Sequence, residues 1–386
     1  MNLADRKHCT GCGACADACP ASCVSMVLSE EGFQFPSVDP SRCIECGACG
    51  KACHALNPPE KHMPEKAFAA WSLDESVRMT SSSGGVYSVL GEHVLENGGV
   101  ISGCRFDGNM VLKHELYDRP GSTIRFRGSK YVQCFTDGIY RKIKTELAKG
   151  RTVLFTGVPC QVAGLRTYLG HPYDNLIACD LVCHGVPSQR IFRSYLERHR
   201  LTPDPDRSVI AFRDLKGWGD FYIRISEQDN LLWRSDDATN EFLRAFLSGY
   251  DYNEACYACP YACMERTGDL TLADFWGLGR TVPFEKDPSH GCSLLLVNTE
   301  KGEDLLRAVR DKLFLEERTV EEARQGNGQL RGPVLRQPMR DVFYRMEWAE
   351  IARRINYGKP SPLRKLLRAC KRKLMNLSGM NRTDKK

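Results

Sequence analysis

The sequence predicts a small, cysteine-bound α+β module followed by a larger α/β domain with a largely parallel sheet. Three observations carry that expectation. The first 53 residues hold two copies of the spacing C-x2-C-x2-C-x3-C. From Ala67 onward, helical and strand-like stretches alternate. Between the two lies NPPEKHMPEK (57–66), a Pro-rich connector. The expected divisions are a module over 1–58, a linker over 59–66, a body over 67–350 and a basic tail over 351–386.

At 386 residues the chain is long enough for two or three domains with their own cores. With 42% apolar and 26% charged residues, it is neither disordered nor collagen-like. No stretch of about 20 consecutive apolar residues is present to span a bilayer. The opening MNLADRKHCTGCGAC lacks the apolar core of a secretory signal. In that setting, 19 cysteines favour metal ligation in a reducing cytoplasm over a disulfide scaffold. The net charge of +6 is uneven. Residues 359–386 hold ten Lys/Arg and one acid, Asp384, for +9, and +6 less +9 leaves the rest at −3. The body therefore has no charge that would attract nucleic acid, and no nucleic-acid partner is expected.

The first cysteine run is Cys9, Cys12, Cys15 and Cys19, followed by Pro20; the second is Cys43, Cys46, Cys49 and Cys53, followed by His54. This is the bacterial ferredoxin pattern for two 4Fe–4S clusters. A cubane takes three thiolates from one tight loop and a fourth from elsewhere, and Gly11, Gly13, Gly47 and Gly50 let each loop wrap closely. In such pairs the fourth cysteine crosses over. One set is therefore Cys9, Cys12, Cys15 and Cys53, and the other Cys43, Cys46, Cys49 and Cys19. The apolar alternation of 24–40 around Glu30-Glu31-Gly32 fits a hairpin between the runs. Zinc rarely uses such quartets twice over.

Eleven cysteines remain. Cys23, Cys104, Cys134 and Cys292 read as small buried hydrophobes. Cys256, Cys259 and Cys263, in CYACPYAC, repeat the C-x2-C-x3-C spacing and imply a third metal centre whose remaining ligands the spacing does not supply.

Within the body, 81–99 begins with serines, carries Val86, Val89, Leu90, Val94 and Leu95 at helical spacing, and stops at Gly98-Gly99. A strand starts at Val100-Ile101. A helix over 138–149, strand TVLFT (152–156), a helix over 161–170 and the apolar run NLIACDLVC (175–183) follow. FYIRIS (221–226) and LLWRS (231–235) flank a polar turn and read as a hairpin. Ser81-Ser82-Ser83-Gly84-Gly85 opens a helix, where free amides favour an anion such as a cofactor phosphate, although serine N-capping alone explains it as well. TGVPCQ (156–161) and CHGVPS (183–188) both follow strands at points where ligands gather on open α/β sheets. They place Cys160 and Cys183 on one sheet edge, compatible with a shared metal. No G-x-G-x-x-G follows a strand, and no P-loop is present.

Taken together, SSSGG (81–85), GSKYVQ (128–133), FTGVPCQVAGL (155–165), DLVCHGVPS (180–188), FRDLKGWG (212–219) and CYACPYACMERTGDLTLADFWG (256–277) are similar to the coenzyme F(420)-reducing hydrogenase/dehydrogenase beta-subunit family. The resemblance covers about 80–300 well, with a fused ferredoxin module over 1–60 and a weak match at the C-terminus. It implies an α+β ferredoxin module followed by an α/β catalytic domain with FAD and a third 4Fe–4S cluster. The matching cysteines are Cys160, Cys183, Cys256 and Cys259, and Cys263, which departs from the family pattern, stands as an alternative to Cys183. The implied FAD cradle is Ser83, Gly84, Gly85, Ser129, Lys130, Gly157, Pro159 and Gln161. A lysine there would stabilise an anionic reduced flavin, or it is a solvated surface residue. Lys216 and Asp274 are the polar motif residues expected to face substrate, unless they are structural.

The implied activity passes single electrons through the clusters to FAD and a hydride to or from coenzyme F(420) or a related organic acceptor. The alternatives are a flavin-dependent reductase of another metabolite and a non-catalytic electron carrier. A hydrogenase, formate dehydrogenase or ferredoxin is the expected redox partner, beside a small-molecule substrate. In the tail, Leu363, Leu366, Leu367, Cys370, Leu374 and Leu377 form an apolar stripe with Lys and Arg opposite. This suits either peripheral contact with the inner face of a membrane or a solvated helix.

Overall fold

The computed structural model describes residues 3–213, 221–228, 230–236 and 240–357. Lys216 and the apolar stripe of the tail lie outside them.

In the N-terminal module, β1 (Val24–Leu28) and β2 (Gln34–Val38) pair as the expected antiparallel hairpin, and Gly32 takes φ +83° at its turn. Each cysteine run forms one short helix, Ala14–Asp17 or Ala48–Lys51, entered through a left-handed glycine, Gly13 or Gly47. The buried cluster of this module is made largely of Cys15, Cys19, Cys23 and Cys49 with Val24. So small an apolar core depends on bound metal for stability.

The body follows with β3 (Lys66–Ser72), β4 (Val100–Phe106), β5 (Leu112–Tyr117), β6 (Val153–Gly157) and β7 (Leu176–Leu181). Next come β8 (Ser208–Arg213), β9 (Phe221–Glu227) and β10 (Asn230–Asp236), then β11 (Leu270–Asp274), β12 (Ser293–Val297) and β13 (Leu313–Arg318). One sheet has the order β13-β3-β12-β11-β7-β6-β4-β5. Its centre, β11-β7-β6-β4, is parallel, while both wings pair antiparallel. The parallel centre arises because helices such as Ile139–Ala148 and Pro159–Leu169 supply the crossovers that parallel strands need. Val153 and Phe155 pack with those helices, and Leu154 packs on the opposite face with the helix Val86–Glu96. Both faces are covered, so the strand reads as a continuous apolar run.

The expected hairpin is present as β9 and β10, and β8 adds a third strand to it. This small sheet shares a core with the helices Gln189–Arg198, Glu241–Ser248 and Trp348–Tyr357. Ile351 and Ile355 are buried there, so the last helix packs on the body across residue 350. The serines 81–83 do not begin a helix. Gly85, at φ +81°, is the N-cap of Val86–Glu96, and Ser81 Oγ instead donates back to the Val77 carbonyl. The connector is pinned to the body, because His62 and Arg266 exchange backbone hydrogen bonds of 2.8 Å. Among the described residues no helix is long and apolar enough to cross a membrane.

The module docks on the helix Pro159–Leu169 and its neighbours. Arg141 donates to the carbonyls of Ala16, Asp17 and Cys19, Thr136 Oγ1 to Cys12 O, and Thr167 Oγ1 to Ala52 O. Gly164 makes the approach possible, since a Cβ there would lie 3.0 Å from Cys12 Sγ and 3.1 Å from the Tyr140 hydroxyl. Gly164→Val should therefore push the first cysteine run off the body. The expected loss is about 1–3 kcal/mol of stability in denaturant titration, with iron lost from the protein as purified.

Candidate metal relay and cofactor cavity

Neighbouring parallel strands end on the same edge of the sheet, and this edge organises the site. Cys160 stands in the first turn of Pro159–Leu169 after β6, and Cys183 lies two residues past β7. The short 3-10 helix Glu254–Ala258 brings Cys256 to the same place, with Cys259 at its C-cap, ahead of the loop that leads into β11. That loop is held by Asp180, the fifth residue of β7. Its carboxylate accepts from Arg266 Nη2 at 3.0 Å, the amides of Thr267 and Gly268 at 3.0 Å, and Thr271 Oγ1 at 2.6 Å. Arg266 in turn donates to the carbonyls of Tyr261, Cys263 and Leu181. Both side chains are buried, at 0% and 1% exposure, so the charges are compensated only by each other and by this hydrogen-bond shell.

The four thiols Cys160, Cys183, Cys256 and Cys259 act on one another electrostatically. Burial, followed by the charges of Cys259, Cys183 and Cys256, drives the Cys160 thiol well up. Burial, followed by Cys183 and Cys259, does the same to Cys256, and burial pushes Cys183 up to about 12. Four soft donors that repel one another as thiolates match a cationic iron–sulfur or zinc centre. Cys263 is engaged elsewhere: its sulfur accepts from Lys61 Nζ at 3.5 Å and lies 3.3 Å from Glu265 O.

The N-terminal cysteines group as crossed sets. The charge of Cys53 acts on Cys9, Cys12 and Cys15, although it lies at the end of the other run. Cys19 and Cys43 both interact with Cys23, whose sulfur is 3.3 Å from that of Cys19. Cys46 is exposed at the outer end of the module. Cys12 in turn acts on Cys160. Cys12 thus links the cysteines of the first run, with Cys53, to the sheet-edge cysteines. His54, which stands where the first run has Pro20, joins the same two groups. Its Nε2 pairs with Thr10 Oγ1 at 3.0 Å and its Nδ1 with the Tyr261 hydroxyl at 2.8 Å.

Beside the third group opens a cavity of about 330 Å³, within the range of small-molecule sites. Ser83, Gly85, Ser129 and Lys130 line it, as do Gly157, Gln161 and Asp274. Cys12, Cys160 and Cys183 also reach its wall. Gly84 and Pro159 do not. Gly84 packs against β3 and β12, where a Cβ would lie 2.3 Å from Ala70 O, and Pro159 begins a helix. The loops at 81–85 and 128–130 are clamped together by Ser129 N donating to Ser82 Oγ at 2.9 Å. Lys130 Nζ donates to the carbonyls of Phe126, Arg127 and Gly128, and burial lowers its pKa to about 8. Its three N–H bonds are thus taken by its own loop, and what it offers the cavity is charge.

Sequence reasoning missed Arg213, which lies in the same FRDLKGWG motif as Lys216. It donates to Asp274 Oδ2 at 2.6 Å and sits 4.6 Å from the Phe221 ring and 5.2 Å from Trp276. Burial disfavours its charge, but Asp274 and Tyr131 together hold its pKa above the usual value. Its position at the end of β8, second in the FRDLKGWG motif, was the available signal. Three buried polar atoms on the cavity wall, Tyr87 Oη, Thr156 Oγ1 and Arg213 Nε, have no hydrogen-bond partner among the described residues. Buried polar atoms are ordinarily paired, so the wall offers hydrogen-bonding positions to a polar ligand.

Removing the Asp180 carboxylate with Asp180→Ala would strand the Arg266 charge. Unfolding titration should show a loss of about 3–5 kcal/mol, with the third metal group lost before the first two. His54 adds a pH dependence: burial lowers its pKa from 6.5 to about 4. The unfolded chain then binds the extra proton first, so stability is full above pH 6.5 and falls as the pH drops toward about 4. His54→Gln should flatten the acid limb of a stability–pH curve over that window.

Residues 150–323 match the family model for the C terminus of the coenzyme F420 hydrogenase/dehydrogenase beta subunit, and residues 8–56 match the 4Fe-4S dicluster domain. Among solved structures, the chain is similar to one chain of the xenon-derivatised F420-reducing [NiFe] hydrogenase complex from Methanosarcina barkeri. That likeness is at 16% identity and TM-score 0.47, covering 77% of this chain and 90% of that one. No curated protein matches the chain. The cysteine spacing and the matched segments agree: the chain is an iron–sulfur protein that joins a 4Fe–4S dicluster domain to a segment matching the C terminus of the coenzyme F420 hydrogenase/dehydrogenase beta subunit.

Proposed function

We propose that this protein is an iron–sulfur flavoprotein oxidoreductase. Electrons would pass between the exposed Cys46 end and FAD in the cavity through the two N-terminal clusters and a third held by Cys160, Cys183, Cys256 and Cys259. FAD would in turn exchange a hydride with coenzyme F(420) or a related organic acceptor, in either direction. The observation that carries this reading is the shared wall: Cys12, Cys160 and Cys183 border the same cavity as the three unpartnered polar atoms.

When bound, FAD supplies the conversion between single electrons and a hydride. The chain supplies position and field. Ser83 and Ser129, with the free amides of the helix Val86–Glu96, suit a phosphate-bearing group at one end of the cavity. Lys130 adds positive charge without donating a hydrogen bond to the ligand. Arg213 is held rigid by Asp274 and its two aromatic neighbours, and presents Nε to the polar edge of whatever binds there. The exposed Val27, Leu28 and Ile44 of the N-terminal module provide apolar contacts for a redox partner such as a hydrogenase, formate dehydrogenase or ferredoxin.

Protein purified without oxygen should contain about twelve irons and one FAD per chain. Cys160→Ser should remove about four irons, leave the N-terminal clusters, and stop flavin reduction by a ferredoxin-level donor. About eight irons in the unsubstituted protein, with no flavin after reconstitution, would leave a two-cluster carrier in place of the enzyme.

A further inference from the structure

Cys104, His114 and Cys134 come from three neighbouring segments and converge beside the cavity. Cys104 on β4 stands opposite His114 on β5, so their side chains leave the same face of the sheet. The segment carrying Cys134 runs along the other side of β5, with His114 N donating to Phe135 O at 2.8 Å and Phe135 N to Leu112 O at 2.9 Å. Among the described residues, this is the only group of three His, Cys, Asp or Glu side chains whose ligand atoms all lie within 4.8 Å of one another. Both sulfurs reach the cavity wall, as does Gln161. The His114 ring is buried and stacks on Phe155, with 5.0 Å between ring centres.

The hydrogen bonds around the ring leave a place for a cation. The Gln161 amide nitrogen donates to Cys134 O at 2.9 Å, which turns Oε1 toward Val158 N–H at 3.2 Å and His114 Nε2 at 3.1 Å. On the other side of the ring, Nδ1 meets Ser102 Oγ at 3.3 Å. With Nδ1–H donating to Ser102, the Nε2 lone pair faces both Gln161 Oε1 and Cys104 Sγ, the latter at 3.4 Å. Lone pairs this close need a positive centre between them. A proton on Nε2 serves Gln161 and Cys104 but leaves the approach of the second sulfur unexplained. One tetrahedral ion accounts for all three donors: bonds of about 2.3 Å to sulfur and about 2.0–2.1 Å to nitrogen set them about 3.5–3.8 Å apart. The ion itself spans the width of β5, so the two sulfurs need never touch. The bond from Nδ1–H to Ser102 also fixes the ligating tautomer, as the outer partner of a metal-bound imidazole ordinarily does.

We propose that Cys104 Sγ, Cys134 Sγ and His114 Nε2 bind one zinc ion whose fourth position opens on the cavity. Two thiolates and an imidazole make a borderline-soft set that suits zinc, and three protein ligands with one open position are the pattern of a catalytic rather than a structural zinc. The site is mononuclear and separate from the three cysteine groups, and it stands whether or not a flavin occupies the cavity. A zinc ion there acts as a Lewis acid on an oxygen of the organic molecule that shares the cavity, drawing electron density from it.

The test uses full-length, cluster-loaded protein prepared without oxygen, equilibrated with a buffered zinc solution and freed of loosely bound metal by gel filtration. Zinc and iron are counted per chain, and the zinc X-ray absorption spectrum identifies the ligands. One zinc per chain beyond the full iron complement, with two sulfurs at about 2.3 Å and two nitrogen or oxygen ligands at about 2.0–2.1 Å, supports the site. Cys134→Ser should then weaken zinc binding by about 100-fold or more while the iron content stays unchanged. No zinc retained by the unsubstituted protein overturns the proposal and leaves His114 Nε2 as a proton donor to Gln161. Zinc with four sulfur ligands, or zinc held as tightly by Cys134→Ser, places the ion in a cysteine quartet and also overturns it. The absorption spectrum is read on the unsubstituted protein, so the test survives a variant that fails to fold.

Discussion

The buried pair of Asp180 and Arg266 is the interaction on which the site depends, because it decides where the third cysteine group can form. Four cysteines from three separate segments must meet at one sheet edge, and two of them stand on a short 3-10 helix and its C-cap, outside the sheet. The Asp180 carboxylate accepts from Arg266, from the Thr267 and Gly268 amides and from Thr271 at the start of β11, and Arg266 also donates to the Cys263 and Leu181 carbonyls. Charges this deep are worth little as net stability. Their effect is to tie the 261–268 segment to the end of β7, where both ions find their partners. The same segment presents Tyr261 to His54, so one ion pair also sets the docking of the N-terminal module.

A relay of one-electron centres works only if neighbours are close and their spacing is rigid. In this protein the rigidity comes from packing. Gly164 lets Cys12 press against a helix of the body, Arg141 ties up three carbonyls of the first cysteine run, and Arg340 makes a two-bonded contact with Glu31 in the hairpin turn. The module is thereby fixed as an extension of the body rather than a tethered domain. The cavity receives the inner end of this series on one wall. On another it holds Arg213, clamped between a carboxylate and two aromatic rings, so positive charge and cysteine sulfurs face the same space.

Much of the fold was legible in advance, for identifiable reasons. The strand Val153–Gly157 and the helix Pro159–Leu169 announced themselves through apolar runs bounded by Gly and Pro, and the hairpin of β1 and β2 through alternation about Glu30-Glu31-Gly32. Other features were hidden. The serines at 81–83 looked like a helix start, but the turn is made by Gly85 and their hydroxyls bond to Val77, Ser129 and Ser293. Gly84 resembled a ligand-cradling glycine, whereas strand packing is what requires it. Cys104, His114 and Cys134 carried no local signal at all, because their meeting depends on the pairing of β4 with β5 and the strand-like path of 130–136.

Short-range spacing by itself determined the two N-terminal quartets, since a cubane draws three ligands from one tight loop and that constraint is written within about ten residues. The alternation of helix and strand likewise determined an α/β body. Tertiary structure alone decided which distant groups share a site. Cys160 and Cys183 meet because β6 and β7 run parallel and end on one edge, and Cys256 and Cys259 join them because Asp180 anchors the segment that leads into β11. Arg213 meets Asp274 only because the small sheet folds over that edge. Local sequence encodes local geometry, whereas contacts between residues a hundred positions apart follow from sheet order, which no single segment specifies.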